Sequence, residues 1–556
     1  MCAYCVVRFG ERLMKAWSLA LLLAAAAPAF ADGGARWLAH VTELADDRYE
    51  GRLTATAGHE RAADYVAREF AKAGLQSAGT DGFLQSVALL EQSIDLAASR
   101  LTLVGPDGAA ALGVPDAALI GTRVPQVREF DAPLVFVGYG LHLPEAGHDD
   151  FAGVDLRGRI AVTLAGGPKA ISGALRSHAA RAEVWQALQK AGAVGLVTIA
   201  NPNAMDVPWA RQALFAGTPG MRLAEPAMND AKRPFFTATL NPAVAERLFA
   251  HSGRRFADLV AIADAGGDLP GFALNQRLRG VVAASDRAIS SPNVVALLPG
   301  RDRRLKAEHV VLTAHLDHLG VGSPVNGDAI YNGAMDNASG IASMLEVARA
   351  LAKKRLKRSV IFLAVTAEER GLLGSRYFAN RPTVPPASII ANINMDMYLP
   401  LWPLTHITAL GAEESTLGEI AADVARKSGI TQVPDGAPER NLFVRSDQYS
   451  FVRMGVPALA LKFAATTPEQ QTTEKAWLTE RYHAPSDDLS QPIEPAHAAA
   501  FNAYLERLIL AVANEADRPT WKLDSFFRRF VPQAGDLREG GRPITLSASR
   551  GRTPPL

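Results

Sequence analysis

Cysteine is almost absent from this chain: of 556 residues only Cys2 and Cys5 are cysteines. They form a C-x-x-C, a spacing that elsewhere signals redox chemistry or metal binding. Both lie ahead of a leader-like segment and outside any domain, so neither reading applies. The chain beyond the leader can form no disulfide and supplies no thiolate, so any metal site must be built from histidine and carboxylates. Net charge is nearly absent too. A formal charge of +1 leaves no electrostatic footprint for nucleic acid or an anionic membrane. After the leader no stretch reaches about 18 uninterrupted apolar residues, so stable membrane insertion is not expected. Also missing are a G-x-S-x-G elbow, an H-E-x-x-H helix and a P-loop, which leaves a serine mechanism without support. No repeat of fixed period is present.

What is there is an ordinary globular composition, 48% hydrophobic and 21% charged. The length exceeds what one hydrophobic core usually holds, so two or more domains are expected. Met14-Lys15, an apolar run from Ala16 to about Ala27, and Ala29-Phe30-Ala31 read as a secretory signal peptide over residues 1–31, with Met14 as an alternative start. The expected location is periplasmic or secreted.

Beyond the leader, residues 32–131 read as the first part of a larger domain, with a helix from about Glu60 to Lys72. The texture changes near Ala132. From there to Gly280 short apolar strands such as 134–137 and 160–164 are punctuated by Gly, Pro and Asp, with one long helix expected over 174–191. This region reads as a separate β-rich domain inserted into the larger one. Residues 281–515 alternate strands (310–313, 359–366, 389–394, 456–463) with helices (340–353, 416–427). That alternation predicts an α/β fold with a mainly parallel sheet covered by helices on both faces. Residues 516–556 read as a tail rich in Arg, Gly and Pro.

Histidines and carboxylates recur where these strands end. The strand 310–313 runs into Ala314-His315-Leu316-Asp317-His318. Asp336 lies in Met335-Asp336-Asn337-Ala338-Ser339-Gly340, ahead of a helix. The strand 359–366 runs into Glu368-Glu369, and 389–394 into Met395-Asp396. His483 sits in Arg481-Tyr482-His483-Ala484-Pro485. Ligands of open parallel sheets bind at the carboxyl ends of strands, so these groups can converge there. Two divalent cations would neutralise such a cluster, and imidazole with carboxylate suits zinc, cobalt or manganese. A two-metal site, its ions about 3.5–4 Å apart, activates a water and polarises a carbonyl; one carboxylate must bridge and one must stay free as general base.

These segments, together with Thr366-Ala367-Glu368-Glu369-Arg370-Gly371-Leu372-Leu373-Gly374-Ser375, resemble the dizinc aminopeptidases, relatives of glutamate carboxypeptidase II and the transferrin receptor. The resemblance covers most of residues 40–515. It implies a zinc-peptidase fold, peptide substrates and two Zn2+ per chain. It gives His315, Asp336 and Asp396 to one zinc, and Asp336, Glu369 and His483 to the other. Glu368 becomes the general base, Tyr482 the oxyanion donor, and Asp317 the carboxylate holding the second ring nitrogen of His315. Where the family often has Ser-Asp-His, this chain has Ser446-Asp447-Gln448. The inserted region resembles a protease-associated domain, which implies a part in substrate access. A dimetal carboxypeptidase or deacylase has a similar ligand order, and a binding ectodomain with a dead site shares the fold. The Met-Asp-Asn-Ala-Ser-Gly and Glu-Glu-Arg-Gly-Leu-Leu-Gly-Ser segments favour an aminopeptidase, and the full ligand set argues against a dead site. Side-chain preference and oligomeric state are not readable at this level.

Overall fold

The computed structural model describes residues 32–205 and 207–532; the leader, Cys2, Cys5 and the tail from residue 533 lie outside the described residues. Ten strands form the larger sheet. At its centre lie Ser359–Val365, His309–His315, Ile389–Asn394 and Ala458–Phe463, side by side in that order and mutually parallel. Every residue of the first three is buried, as a strand covered on both faces requires. The rims are antiparallel. Leu84–Ile94 and Ala284–Leu298 pair on one side, and His406–Leu410 runs against Ala458–Phe463 on the other. The parallel arrangement expected from sequence therefore describes the centre of the sheet and not its edges.

Side chains alternate across this sheet and feed two cores. Val310, Leu312 and Ala314 pack under the helices Ala57–Lys72, Ser339–Leu351 and Pro495–Asn514. Val311, Ile361 and Leu363 pack on the other face against Phe378 and Phe451. The helix Ala57–Lys72 starts where Thr56 accepts the His59 N–H, and buries Ala62, Ala63, Val66 and Phe70 at helical spacing.

The smaller sheet has eight strands in the spatial order 108–112, 100–105, 271–281, 129–137, 160–164, 195–199, 236–240 and 118–120. The chain leaves the large sheet at Ile94 and rejoins it at Ala284. The small sheet thus begins at Arg100, upstream of the boundary at 132 drawn from texture. The strands Arg100–Gly105 and Gly108–Leu112 form a hairpin across Pro106-Asp107, and their composition does not differ from the preceding strand. The two units also share a strand, because Gly220–Leu223 returns to pair with Leu84–Ile94 of the large sheet. The helix expected over 174–191 is present as one continuous run, in which Gly173–His178 and Val184–Lys190 flank a wider π-type turn at Ala179–Glu183. Of the expected tail, residues 516–532 are described. Trp521 and Phe527 are buried with Phe443, Val444 and Tyr449.

One topological feature positions the site. From His309–His315 the chain passes to the neighbour on one side, Ser359–Val365. It then crosses to the neighbour on the other side, Ile389–Asn394. Such a reversal opens a crevice at the carboxyl ends of the two strands between which it occurs.

Candidate metal centre

The crevice is where the sequence-predicted residues meet. His315 ends its strand, with its Nδ1 3.0 Å from the Asp317 carbonyl oxygen. The ring N–H donates there, which leaves the Nε2 lone pair facing the crevice. His315 Nε2 lies 3.2 Å from Asp336 Oδ1 and 3.4 Å from Asp396 Oδ1. The other Asp336 oxygen, Oδ2, lies 3.4 Å from His483 Nε2, which is itself 3.2 Å from Glu369 Oε2. Asp336 thus turns one oxygen toward each of two donor groups. All five sequence-predicted donors converge, and each is nitrogen or oxygen.

Asp317 behaves differently from its expected role. Its backbone carbonyl, not its carboxylate, holds His315. The carboxylate instead accepts the N–H groups of Glu368 and Glu369 at 3.0 and 3.3 Å, and the Thr54 hydroxyl at 3.1 Å. A side chain two residues past a strand end projects onto the neighbouring strand's exit, and that exit is the turn carrying the two glutamates. Ala367, just before them, has φ +54°, and His483 has φ +56°. Left-handed backbone at non-glycine residues persists where the surrounding structure over-determines it, and such positions cluster at functional sites.

Several supporting residues carry no obvious sequence signal. Asp487 accepts the N–H groups of Met335 and Asp336, both at 3.0 Å, and fixes the turn that presents Asp336. Arg52 is buried and donates to the carbonyls of Leu44, Leu316, Asn332 and Gly333, tying the amino-terminal segment under both donor loops. Burial pulls its guanidinium down to about 10, against the opposing charges of Asp487, Asp336 and Asp317. His318 is fully buried, with Nδ1 3.0 Å from Glu369 Oε1. His318, Asp336 and Glu369 form a second donor group, and His483 approaches the same two carboxylates. His318 stands one residue past Asp317, so adjacency in sequence was its one available signal. In the Ser446-Asp447-Gln448 segment, Asn394 donates to Ser446 Oγ and Gln448 Oε1, both at 2.9 Å. Gln448 thereby braces the strand that leads to Asp396.

The smaller unit reaches the site as well. Arg211 donates to the carbonyls of Tyr482 and Thr479 at 3.1 and 2.7 Å, and Arg123 donates to the Glu369 carbonyl at 3.2 Å.

Charge in the crevice is strongly organised. Burial would depress the His315 imidazole, but hydrogen bonds to Asp336 and Asp396 carry it well above its usual range. Burial likewise opposes, and Glu369 and Asp336 more than restore, the charge on His483, which rises to about 10. Burial, reinforced by the charges of Asp396, Asp447 and Glu369, lifts Glu368 well above the usual carboxylate range. Burial and the nearby carboxylates keep the Tyr482 phenol protonated far beyond its ordinary range. A cluster that holds its imidazoles cationic among buried carboxylates is one that divalent cations could occupy. The donors open onto a pocket that is also lined by Glu368, Tyr482, Met397 and Lys462.

Comparison with known proteins gives a consistent picture. Residues 293–509 match Peptidase family M28. The chain is 29% identical over 210 residues to a probable leucine aminopeptidase 2 of Aspergillus fumigatus, covering 36% of this chain and 40% of that one. It is 27% identical over 257 residues to the aminopeptidase YwaD of Bacillus subtilis, covering 45% and 50%. The chain therefore spans half or less of the length of these relatives. In fold it resembles an aminopeptidase from Aneurinibacillus sp. strain AM-1, with a TM-score of 0.51 at 19% identity, covering 88% of this chain and 97% of that one. Every donor of both groups lies inside the segment, residues 293–509, that matches Peptidase family M28.

Proposed function

We propose that this chain is an exported metallo-aminopeptidase that binds two zinc ions and removes amino-terminal residues from peptides. The observation that carries this reading is the split Asp336 carboxylate, one oxygen toward His315 and Asp396 and the other toward His483 and Glu369. The donor chemistry fits: imidazole and carboxylate without thiolate suit zinc, with cobalt or manganese as substitutes. Curated relatives are named as aminopeptidases, in agreement with it. Export rests on the leader over residues 1–31.

Two cations held by His315, Asp336, Asp396, Glu369 and His483 would polarise the scissile carbonyl and acidify a water. The protein's own groups do the rest. Glu368, partly exposed in the pocket and raised by burial, takes the proton of the attacking water and delivers it to the departing amine. Tyr482, held as a neutral phenol, donates a hydrogen bond to the developing oxyanion. The smaller unit acts as the access-shaping domain and braces the Tyr482-His483 turn through Arg211.

The test is a panel of aminoacyl chromogenic substrates with and without a chelator, alongside total-metal analysis. The expected result is two metals per chain, activity lost on chelation, and activity restored by zinc or cobalt. Full turnover by metal-free protein overturns the reading.

A further inference from the structure

The pocket holds charged groups that the metal centre does not use: Arg440, Arg445, Lys462 and Glu474. Lys462 is the most informative. It projects from the strand Ala458–Phe463, which is otherwise buried and apolar, and that strand lies beside the one leading into Asp396. Burial pulls its ammonium down. Asp396 and Glu474 pull it back up, and Arg440 opposes them. Its hydrogen bond goes to the Met397 carbonyl at 3.1 Å. An ammonium carries three donors, and no carboxylate among the described residues forms an ion pair with it. A surface lysine would stretch its head into bulk water, but this one is half-buried and tethered at the pocket wall.

The surroundings define what such a head would bind. Met397, Leu399, Leu410 and Leu478 line the same pocket and can cover methylene groups. Of the carboxylates that act on Lys462, Asp396 and Asp336 belong to the donor groups and Glu474 does not. Apolar walls with a tethered cation suit a short aliphatic chain that ends in a carboxylate. We propose that this pocket selects peptides whose amino-terminal residue is glutamate, with Lys462 as the specificity-determining residue. The inference rests on the aminopeptidase reading above, since the pocket opens directly off the metal donors.

The experiment uses the full-length protein loaded with zinc. Glutamyl, leucyl and lysyl p-nitroanilides have no free carboxyl end, so they read the first residue alone. The expected order is glutamyl over leucyl over lysyl. A charge-assisted contact of this kind sets the glutamyl-to-leucyl ratio of kcat/KM, and Lys462→Met should lower that ratio about 10- to 100-fold. Glu474→Gln should raise it. A wild-type preference for leucyl or lysyl substrates, or a ratio unmoved by Lys462→Met, overturns the proposal. Paired dipeptides, Leu-Ala and Leu-Ala amide, test the other source of a carboxylate; a preference that follows the free carboxyl end also overturns it. Calorimetry with free L-glutamate and L-leucine reads the pocket without turnover. Tighter glutamate binding that Lys462→Met removes supports the proposal, and equal binding overturns it. Absence of hydrolysis across all substrates would sink the peptidase reading alone, because calorimetry still decides what the pocket holds.

Discussion

Both sheets of this molecule place four parallel strands at their centre and antiparallel strands at their rims. In the small sheet the parallel strands Glu129–Val137, Ile160–Leu164, Gly195–Ile199 and Phe236–Leu240 follow one another in chain order. Each connection steps the same way, so no two neighbouring strand ends are left open between diverging loops. Their exits carry Gly138, Gly166, Asn201 and Asn241, residues of turns. In the large sheet the order reverses beside His309–His315, and the exits there carry His315, Glu368, Glu369 and Asp396. Parallel strand ends alone do not make a site. A reversal in strand order supplies the space, and that is where the titratable side chains are concentrated.

The strongest way to break this contrast is to remove the residue that joins the two donor groups at the reversal. Asp336→Asn keeps the size and deletes the charge. It is expected to lose at least one metal and to fall to background turnover, measured by metal analysis and steady-state kinetics. Wild-type turnover with both metals bound would mean that another carboxylate bridges.

The adjacent glutamates sharpen the contrast next, because one strand exit is given two jobs. Glu368→Gln should lower kcat by about 10²–10⁴-fold while keeping both metals. Glu369→Gln should instead weaken one metal site, since its oxygens face His318 and His483. Loss of metal from the first variant and retention by the second would reverse the assignment.

A smaller effect probes whether the small unit is inert. Arg211 reaches across to the Tyr482 and Thr479 carbonyls. Arg211→Ala should cost about 10-fold in metal affinity at the His483 group or in activity, as loss of an outer support does. Unchanged metal affinity together with unchanged kcat would show that the Tyr482-His483 turn holds itself.

Acid should also act unequally on the two regions. His59 is buried beneath the donor loops, and burial together with Arg52 pulls its imidazole down to about 3. Between that value and the usual imidazole range the unfolded chain binds a proton that the folded chain refuses. The stability is therefore full above about pH 6.5 and is lost as pH falls, by up to about 1.4 kcal/mol per pH unit. Denaturant midpoints at pH 7 and pH 5 should diverge in the wild type and diverge less in His59→Gln. An equal divergence assigns the acid sensitivity elsewhere.

The smallest change is expected at an exit of the small sheet. Asn241 accepts the Ala243 N–H at 3.0 Å and donates to the Asp116 carbonyl at 3.0 Å. Asn241→Ala should cost about 1 kcal/mol of stability, as a lost cap does, and leave kcat/KM unchanged. A large fall in activity would erase the distinction between the two sheets.

Sequence by itself named the candidate donors of the centre. The strands 309–315, 359–365 and 389–394 were legible because buried parallel strands are unbroken apolar runs. His315, Glu368, Glu369 and Asp396 stood out as candidates because histidine and carboxylate at the ends of such runs lie beside a buried core. Only the tertiary structure decided which atoms face each other. It turned the Asp317 carboxylate to the glutamate N–H groups and its carbonyl to His315. It brought His318, Asp487, Arg52 and Arg211 to the site through contacts that span 51, 151, 281 and 271 residues of chain, and moved the start of the small sheet from 132 to Arg100. The physical reason is range. Periodicity and burial are local properties that each segment carries with it, whereas a hydrogen-bond partner is chosen by whichever unpaired group the fold brings within about 3 Å, and chain distance does not enter that choice.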